Sequence, residues 1–427
     1  MKNPLYTQII DLIKREVVPA IGCTEPVAVA LCVAKATEIL GKLPEEITLR
    51  LSGNIIKNAM GVGIPGTGMI GLPIAVALGA ICGKSEYGLE VLRDVNPSAI
   101  EKGKNMIEEG RIKILHHKTP PCNLYIEVDV TAGDETARAV ISGAHTRFVA
   151  LEKNGKSLER EATGAEEKAE NNDSVRLDMK MVYDFAMNVP LQDIEFLLEA
   201  GWMNRDAARL ALREDYGHGL GKVIRDQGLY FFGDTPIRHL LAMTSAACDA
   251  RMGGATVPVM SNSGSGNQGI TATLPVVCYA EEVGASDEQL ARALALSSLT
   301  SIYIKQSLGR LSALCGCVVA STGASAGLIH LMGGGYHEVC SAIKNMVANL
   351  TGMICDGAKP ACAMKITSGV STALLSALLA MNGKCVTSQE GIISDDIDTT
   401  IHNLTSIGRE AMTETDHLVL DIMVNKE

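Results

Sequence analysis

Cysteine placement constrains this chain more than any other feature of its sequence. Five of its twelve cysteines fall between residues 310 and 368, namely Cys315, Cys317, Cys340, Cys355 and Cys362. Asp356-Gly357 and Lys359-Pro360 interrupt any helix between Cys355 and Cys362. Cys355 is therefore predicted at the end of one element and Cys362 near the start of the next. Two thiols placed in this way can converge on one point.

The separations between these cysteines are long and unlike the paired C-x-x-C spacing of a structural zinc site. They suit a cluster held between separate helices, and thiolates are the usual ligands of iron–sulfur clusters. Three thiolates on a four-iron cube would leave one iron open as a Lewis acid. The alternative is that the thiols are small buried residues, since free cysteine is among the most buried residue types.

Five motifs along nearly the whole chain carry a family resemblance: IGCTEP (21–26), SGNIIKNAMGVGIPGTG (52–68), SNSGSGNQG (261–269), ALCGC (313–317) and CDGAKPAC (355–362). In this order they resemble the iron–sulfur L-cysteine desulfidases, which are related to the iron–sulfur L-serine dehydratases and their alpha chain. The resemblance implies a [4Fe-4S] cluster on Cys315, Cys355 and Cys362. It also implies a reactive Cys23 and elimination of sulfide from L-cysteine, giving pyruvate, ammonia and hydrogen sulfide. Cys317 remains an alternative to Cys315.

One departure from the related family bears on the substrate. In the serine dehydratases a cysteine at the end of the chain reaches back to the cluster, whereas this sequence ends DIMVNKE and its last cysteine is Cys385. The departure favours the desulfidase branch. A dehydratase of L-serine or a related hydroxy acid stays open, as do a non-catalytic iron–sulfur or redox-sensing protein and a metal-free binding protein for small carboxylates.

Composition narrows the class of protein. The 427 residues are enough for roughly two or three domains, and 47% hydrophobic with 4% aromatic residues requires an aliphatic core. A net charge of -11 argues against nucleic acid as a partner. The N-terminus has no signal-peptide pattern, so twelve cysteines indicate reduced thiols in the cytoplasm. The apolar runs 71–82 and 366–381 are interpreted as buried helices and not as membrane spans.

Hydrophobic periodicity predicts an α+β fold, with a mostly helical domain that carries the cysteines and a smaller α/β-sandwich domain. Helices are expected at 4–18, 24–40, 72–83, 88–110, 238–252, 270–283, 286–308, 337–353, 361–381 and 395–411. Strands are expected at 46–52, 112–115, 124–131, 135–142 and 146–152. Residues 1–44 should pack on the helical domain, 45–185 form the α+β domain and 186–427 the cluster-binding domain. The polar segment 157–174 is the best linker candidate.

Cys23 is the candidate catalytic base. It lies just before the predicted helix at 24–40, where the positive end of the helix dipole would lower its pKa and favour the thiolate. The alternative is a small residue at a tight turn.

Two Gly-rich loops are candidate carboxylate sites, because they expose backbone amides and polar side chains. The first offers Asn54, Asn58 and Thr67, and the second offers Ser261, Asn262, Ser263 and Asn267 before a helix. A turn cluster, a linker or a helix cap would explain the same residues without a ligand. The expected partner is a small amino acid, with no nucleic acid or membrane, and a homodimer is left open.

Overall fold

The computed structural model describes residues 3–160, 175–309 and 312–425. Its α-helices are α1 Pro4–Glu16, α2 Thr24–Leu40, α3 Gly53–Ala59, α4 Leu72–Ile81, α5 Pro97–Glu108, α6 Met179–Asn188, α7 Phe196–Arg213, α8 Leu220–Gln227, α9 Leu229–Phe232, α10 Pro236–Met252, α11 Gly266–Val283, α12 Asp287–Leu308, α13 Gly316–Leu331, α14 Tyr336–Leu350, α15 Cys362–Met381, α16 Ile397–Ser406 and α17 Thr413–Asn425. Its strands are β1 Pro19–Ala20, β2 Glu46–Leu51, β3 Ile112–His116, β4 Tyr125–Ala132, β5 Glu135–Ser142, β6 Phe148–Lys153, β7 Lys156–Arg160 and β8 Val259–Met260.

A six-stranded mixed sheet organises the first half of the chain. Its strand order is β3-β2-β4-β5-β6-β7, with β2 and β3 parallel and every other pair antiparallel. Alternating apolar residues of β2 and β4 point into a core that the side chains of α2 complete. The expectation that both N-terminal helices pack on the helical domain is therefore wrong for α2. Its sequence is apolar on nearly all sides, so it is buried between the sheet and α4.

The second half is a helical domain whose core is built from aliphatic and small side chains of α6 to α16. Helix α13 lies at its centre and packs against α11, α12 and α15. Helix α1 also packs in this core. Helix α6 contacts α12, so the boundary expected at residue 185 falls inside a helix of this domain. The α+β class, with a mostly helical domain, is confirmed.

Three local expectations differ from the structure. The helix expected at 88–110 is a short 3-10 turn followed by α5, because Asn96 caps a new helix that begins at Pro97. Residues 157–160 of the expected linker pair with β6 as part of β7, and residues 161–174 lie outside the described residues. Beyond the helix expected at 395–411, the chain forms α17.

A small two-stranded ribbon joins the two halves close to the cysteines. Strand β1 pairs antiparallel with β8, and the Ser261 N–H donates to the Val18 carbonyl at 2.8 Å. The ribbon holds the turn before α2, which carries Cys23, beside the turn before α11. Among the described residues, α15 has the length and apolar composition of a membrane span, and half of its most apolar window is buried inside the fold.

Candidate active site: a cysteine cluster between two helix ends

A single β-bridge brings Cys315 and Cys355 together. Leu314 and Ile354 form the bridge, and the Cys355 N–H donates to Ala313 at 2.7 Å while the Cys315 N–H donates to Met353 at 3.0 Å. The two thiols are hydrogen-bonding neighbours. Two cysteines far apart in sequence thus meet because short segments before α13 and before α15 pair as strands.

Cys362 completes the group from the first turn of α15. Its N–H donates to Lys359 at 2.9 Å, and its thiol lies 3.6 Å from the Gly357 carbonyl. The thiol also interacts electrostatically with Cys355. Cys315 is the N-cap of α13, so the positive ends of two helix dipoles face the three sulfur atoms. Both dipoles favour negative charge on the sulfurs.

Three lysines surround the cysteines. Lys57 acts electrostatically on Cys355, and Lys359 and Lys365 act on Cys362. Lys57 is only 2% exposed and forms an ion pair with Asp416 of α17. The other two lysines form ion pairs with Asp356. Burial opposes ionisation of Asp356, but the hydrogen bonds from both lysines lower its pKa to about 2. Three ammonium groups against two carboxylates leave one net positive charge beside the cysteine group.

The free thiols are protonated near neutral pH. The hydrogen bond with Cys317 and burial raise the pKa of Cys315 to about 12, although its hydrogen bond with Cys355 opposes the shift. The hydrogen bond with Cys315 and burial raise the pKa of Cys355, and burial raises that of Cys362. A bound cation would convert buried thiols of this kind to thiolates.

In residues 3–160, 175–309 and 312–425, no three His, Cys, Asp or Glu side chains are arranged to hold a single metal ion. The three cysteines provide thiolate donors, and two helix N-termini and three lysines provide positive charge beside them. An iron–sulfur cluster needs both. The residues fit such a group.

Cys317 is a hydrogen-bonding neighbour of Cys315 that also bonds to the backbone, and Cys340 has other partners. The Cys317 thiol donates to the Lys365 carbonyl at 3.0 Å, within α15. Cys340 lies on α14, where Tyr336 and Cys385 are its neighbours. Cys248 of α10 is a fully buried thiol behind the group and interacts electrostatically with Cys315 and Cys362. Every one of the twelve cysteines lies within the described residues and is a free thiol.

Cys23 is the N-cap of α2, but its predicted thiolate character is wrong. The residue is 3% exposed, and its thiol donates to Glu25 Oε2 at 2.8 Å. Burial and the negative charge of Glu25 raise the pKa of Cys23 well above its ordinary value, against an opposing effect of Arg251. The Thr24 hydroxyl donates to the same Glu25 oxygen at 3.2 Å. Cys23 is therefore a protonated thiol hydrogen-bonded to a carboxylate.

Residues of the first Gly-rich segment divide into two groups. Asn54 and Asn58 lie one turn apart on α3, and the Asn58 carbonyl is 3.7 Å from the Cys23 thiol. The buried Asn54 Oδ1 has no hydrogen-bond partner among the described residues. Thr67 instead donates to the Ile64 carbonyl at 2.7 Å, inside its own turn. Asn54 and Asn58 can therefore face a ligand, whereas the Thr67 hydroxyl is already used.

The second candidate loop is shorter than expected, because α11 begins at Gly266 and not near residue 270. Ser261 Oγ donates to the Val18 carbonyl at 2.6 Å, and Asn262 Nδ2 donates to Ser298 at 3.3 Å. The Ser263 hydroxyl donates to Asn262 Oδ1 at 2.8 Å. These three side chains are buried and satisfied by the protein, so they shape the loop and leave little for a ligand.

Asn267 lies on the first turn of α11, beside two residues that the sequence analysis missed, Arg251 and Gln268. Its Oδ1 accepts a hydrogen bond from Arg251 at 3.1 Å. Gln268 packs its side chain against Gly316, next to Cys315, and its buried Oε1 has no partner among the described residues. Arg251 lies in the last turn of α10 before Gly253-Gly254, and two charged residues, Asp249 and Arg251, among small and apolar ones were the available signal.

Comparison with known proteins finds similarity along nearly the whole chain. The family model described as "Serine dehydratase alpha chain" matches residues 86–421. A UPF0597 protein of Bacteroides fragilis is 62% identical over 98% of both chains. UPF0597 proteins of Porphyromonas gingivalis and Oleidesulfovibrio alaskensis are 52% and 47% identical, each over 100% of both chains.

Proposed function

We propose that this chain, which belongs to the serine dehydratase alpha chain family, is an iron–sulfur-dependent lyase that eliminates hydrogen sulfide from L-cysteine. The single observation that carries the proposal is the convergence of Cys315, Cys355 and Cys362 between two helix N-termini. Family membership supports a lyase of small amino acids, and the thiol group supports the cofactor.

Cys315, Cys355 and Cys362 would hold a [4Fe-4S] cluster. When bound, the cluster supplies a Lewis acid for the departing sulfur. Lys57, Lys359 and Lys365 would offset part of the negative charge of the thiolates, and the two helix dipoles add to this effect. Cys315 is preferred to Cys317, since the Cys317 thiol is already bonded to the backbone of α15.

Proton removal is assigned to the Cys23–Glu25 pair. The Glu25 carboxylate, whose Oε2 accepts a hydrogen bond from the Cys23 thiol at 2.8 Å, takes the α-proton of the substrate, and Cys23 stays protonated beside it. The α-carbon electron pair forms the double bond as the carbon–sulfur bond breaks and sulfide leaves. Water then hydrolyses the aminoacrylate product to pyruvate and ammonia. Asn58, whose carbonyl lies 3.7 Å from the Cys23 thiol, and Asn54, one turn earlier on α3, are proposed as substrate contacts.

Dehydration of L-serine is the second candidate, because the matching family is described as a serine dehydratase. The same proton transfer would operate, with hydroxide as the leaving group. Either reaction places the protein in the cytoplasm, where amino acids are degraded and thiols stay reduced. The substrate would be the small-molecule partner in both cases, and a homodimer remains part of the proposal.

The test is an anaerobic assay of purified protein with each amino acid. Release of sulfide and pyruvate in equal amounts from L-cysteine supports the desulfidase. Pyruvate from L-serine at a higher kcat/KM replaces it with the dehydratase. Absence of turnover with both substrates, in protein that carries its full iron content, would contradict the proposed lyase. Glu25→Gln should reduce kcat with iron content unchanged, and Thr24→Val, which leaves the Cys23–Glu25 bond in place, is the matched control.

A further inference from the structure

A buried arginine lies close to Cys23 without an acidic partner among the described residues. Arg251 is the penultimate residue of α10 and is 5% exposed. Its guanidinium donates to Asn267 Oδ1 at 3.1 Å, and its Nε group has no hydrogen-bond partner in the described parts of the chain. Burial of a guanidinium with no counter-charge is costly, because nothing replaces its lost hydration.

Packing around Arg251 holds the guanidinium at the start of α11. Gly266 is the first residue of that helix, and a Cβ there would collide with Arg251 Nε and lie 2.9 Å from Cζ. Only glycine leaves room for the side chain. The backbone amides at the N-terminus of this 18-residue helix therefore share one location with the guanidinium charge. Both features favour an anion.

The location is also next to the proposed chemistry. The charge of Arg251 acts on Cys23 and on Cys248, and Cys248 in turn interacts with Cys315 and Cys362. Gln268 follows on the same turn of α11; its side chain packs on Gly316, and its buried Oε1 has no hydrogen-bond partner among the described residues. An amide oxygen accepts hydrogen bonds from an ammonium group.

We infer that Arg251 binds the carboxylate of a 2-amino acid and that Gln268 Oε1 accepts a hydrogen bond from its ammonium group. The identity of the ligand as an amino acid rests on the proposed function. A guanidinium presents two parallel N–H groups that match the two oxygens of a carboxylate. Ligand binding supplies the counter-charge that Arg251 lacks.

The test compares two ligands without a leaving group, L-alanine and L-alaninamide, by ligand-observed NMR on anaerobically purified protein. The wild type should prefer L-alanine by about 10- to 100-fold, the value of a charge-assisted pair. Arg251→Gln should bind both ligands within about threefold, since a neutral side chain makes only ordinary hydrogen bonds. Arg238→Gln is the matched control, because Arg238 is on the same helix in a surface ion pair with Asp234 and should leave the preference unchanged.

The Tm of Arg251→Gln distinguishes an arginine that binds an anion from one that only packs against its neighbours. Removing an uncompensated buried charge should leave the Tm of Arg251→Gln equal to or above that of the wild type. No preference for L-alanine in the wild type, or a wild-type preference in Arg251→Gln, would overturn the inference.

The failure of this site and the failure of the proposed function are distinguishable. If L-cysteine is converted but Arg251→Gln leaves its KM unchanged, the carboxylate site is refuted and the lyase stands. If no amino acid is converted but the preference for L-alanine depends on Arg251, the carboxylate site stands without the lyase.

Discussion

Asp416→Asn should destabilise the fold strongly, because it leaves the Lys57 ammonium buried without its counter-charge. Lys57 lies on α3 and is 2% exposed, whereas the side chain of Asp416 on α17 is 23% exposed. Loss of one partner from a buried pair costs about 3–5 kcal/mol. Because Asp416 is partly hydrated, we expect about 3 kcal/mol, the lower end of that range.

The reverse change should cost less. Lys57→Met leaves a carboxylate that water can reach, so we expect a loss of about 1–2 kcal/mol. The double variant should be more stable than Asp416→Asn alone, which requires a coupling larger than the cost of Lys57→Met, about 2 kcal/mol or more. Asp184→Asn is the control, because its pair with Lys180 is exposed and should contribute no more than about 0.5 kcal/mol.

Urea unfolding followed by far-UV circular dichroism measures these free energies of unfolding. The reasoning is refuted if Asp416→Asn stays within about 0.5 kcal/mol of the wild type, the range of an ordinary surface change. It is also refuted if Lys57→Met costs more than Asp416→Asn. Either result would mean that the Lys57 ammonium is hydrated in solution.

Three further predictions concern the site. Cys315→Ser should lose the bound iron, measured as iron content per chain. Cys317→Ser should keep it, because a serine hydroxyl can replace the Cys317 bond to Lys365. Loss of iron in Cys317→Ser with retention in Cys315→Ser would exchange the two roles. Cys23 should react slowly with iodoacetamide up to about pH 9, since burial and then Glu25 raise its pKa. Glu25→Gln should lower that pKa and speed the reaction. An unchanged rate would contradict the effect of Glu25 on the Cys23 thiol. Gly357→Ala should destabilise the fold by at least about 2 kcal/mol in urea unfolding, because its φ is +90° and a Cβ would collide with the Lys57 carbonyl. The control Gly383→Ala, with φ +67° and open space around it, should cost only about 1 kcal/mol. Equal losses of stability in the two variants would refute the collision.

The helix-breaking residues in the sequence predicted the position of Cys362 but not the pairing of Cys315 with Cys355. Asp356-Gly357 and Lys359-Pro360 do separate α14 from α15, so Cys362 begins a helix as expected. The family resemblance is confirmed by the serine dehydratase alpha chain match. The pairing of Cys315 with Cys355 depends on the Leu314–Ile354 bridge, which joins distant segments and has no local signature.

The other features of the site depend on contacts between residues that are far apart in the sequence. The helix dipole at Cys23 is a local feature, but burial and the orientation of Glu25 outweigh it. Arg251 is one of several polar residues on α10, and only its contact with Gly266 and Asn267 reveals where the charge points. The role of Lys57 was equally hidden, because its partner Asp416 lies on α17, a helix absent from the sequence-based prediction.

Iron and acid-labile sulfide per chain, measured after anaerobic purification, test the central claim most directly. The wild type should contain about four of each, and Cys355→Ala should contain less than about one, since one of three ligands is lost. Cys340→Ala, which removes a cysteine outside the group, should match the wild type. Full iron and sulfide content in Cys355→Ala would contradict the assignment of Cys315, Cys355 and Cys362 as the cluster ligands.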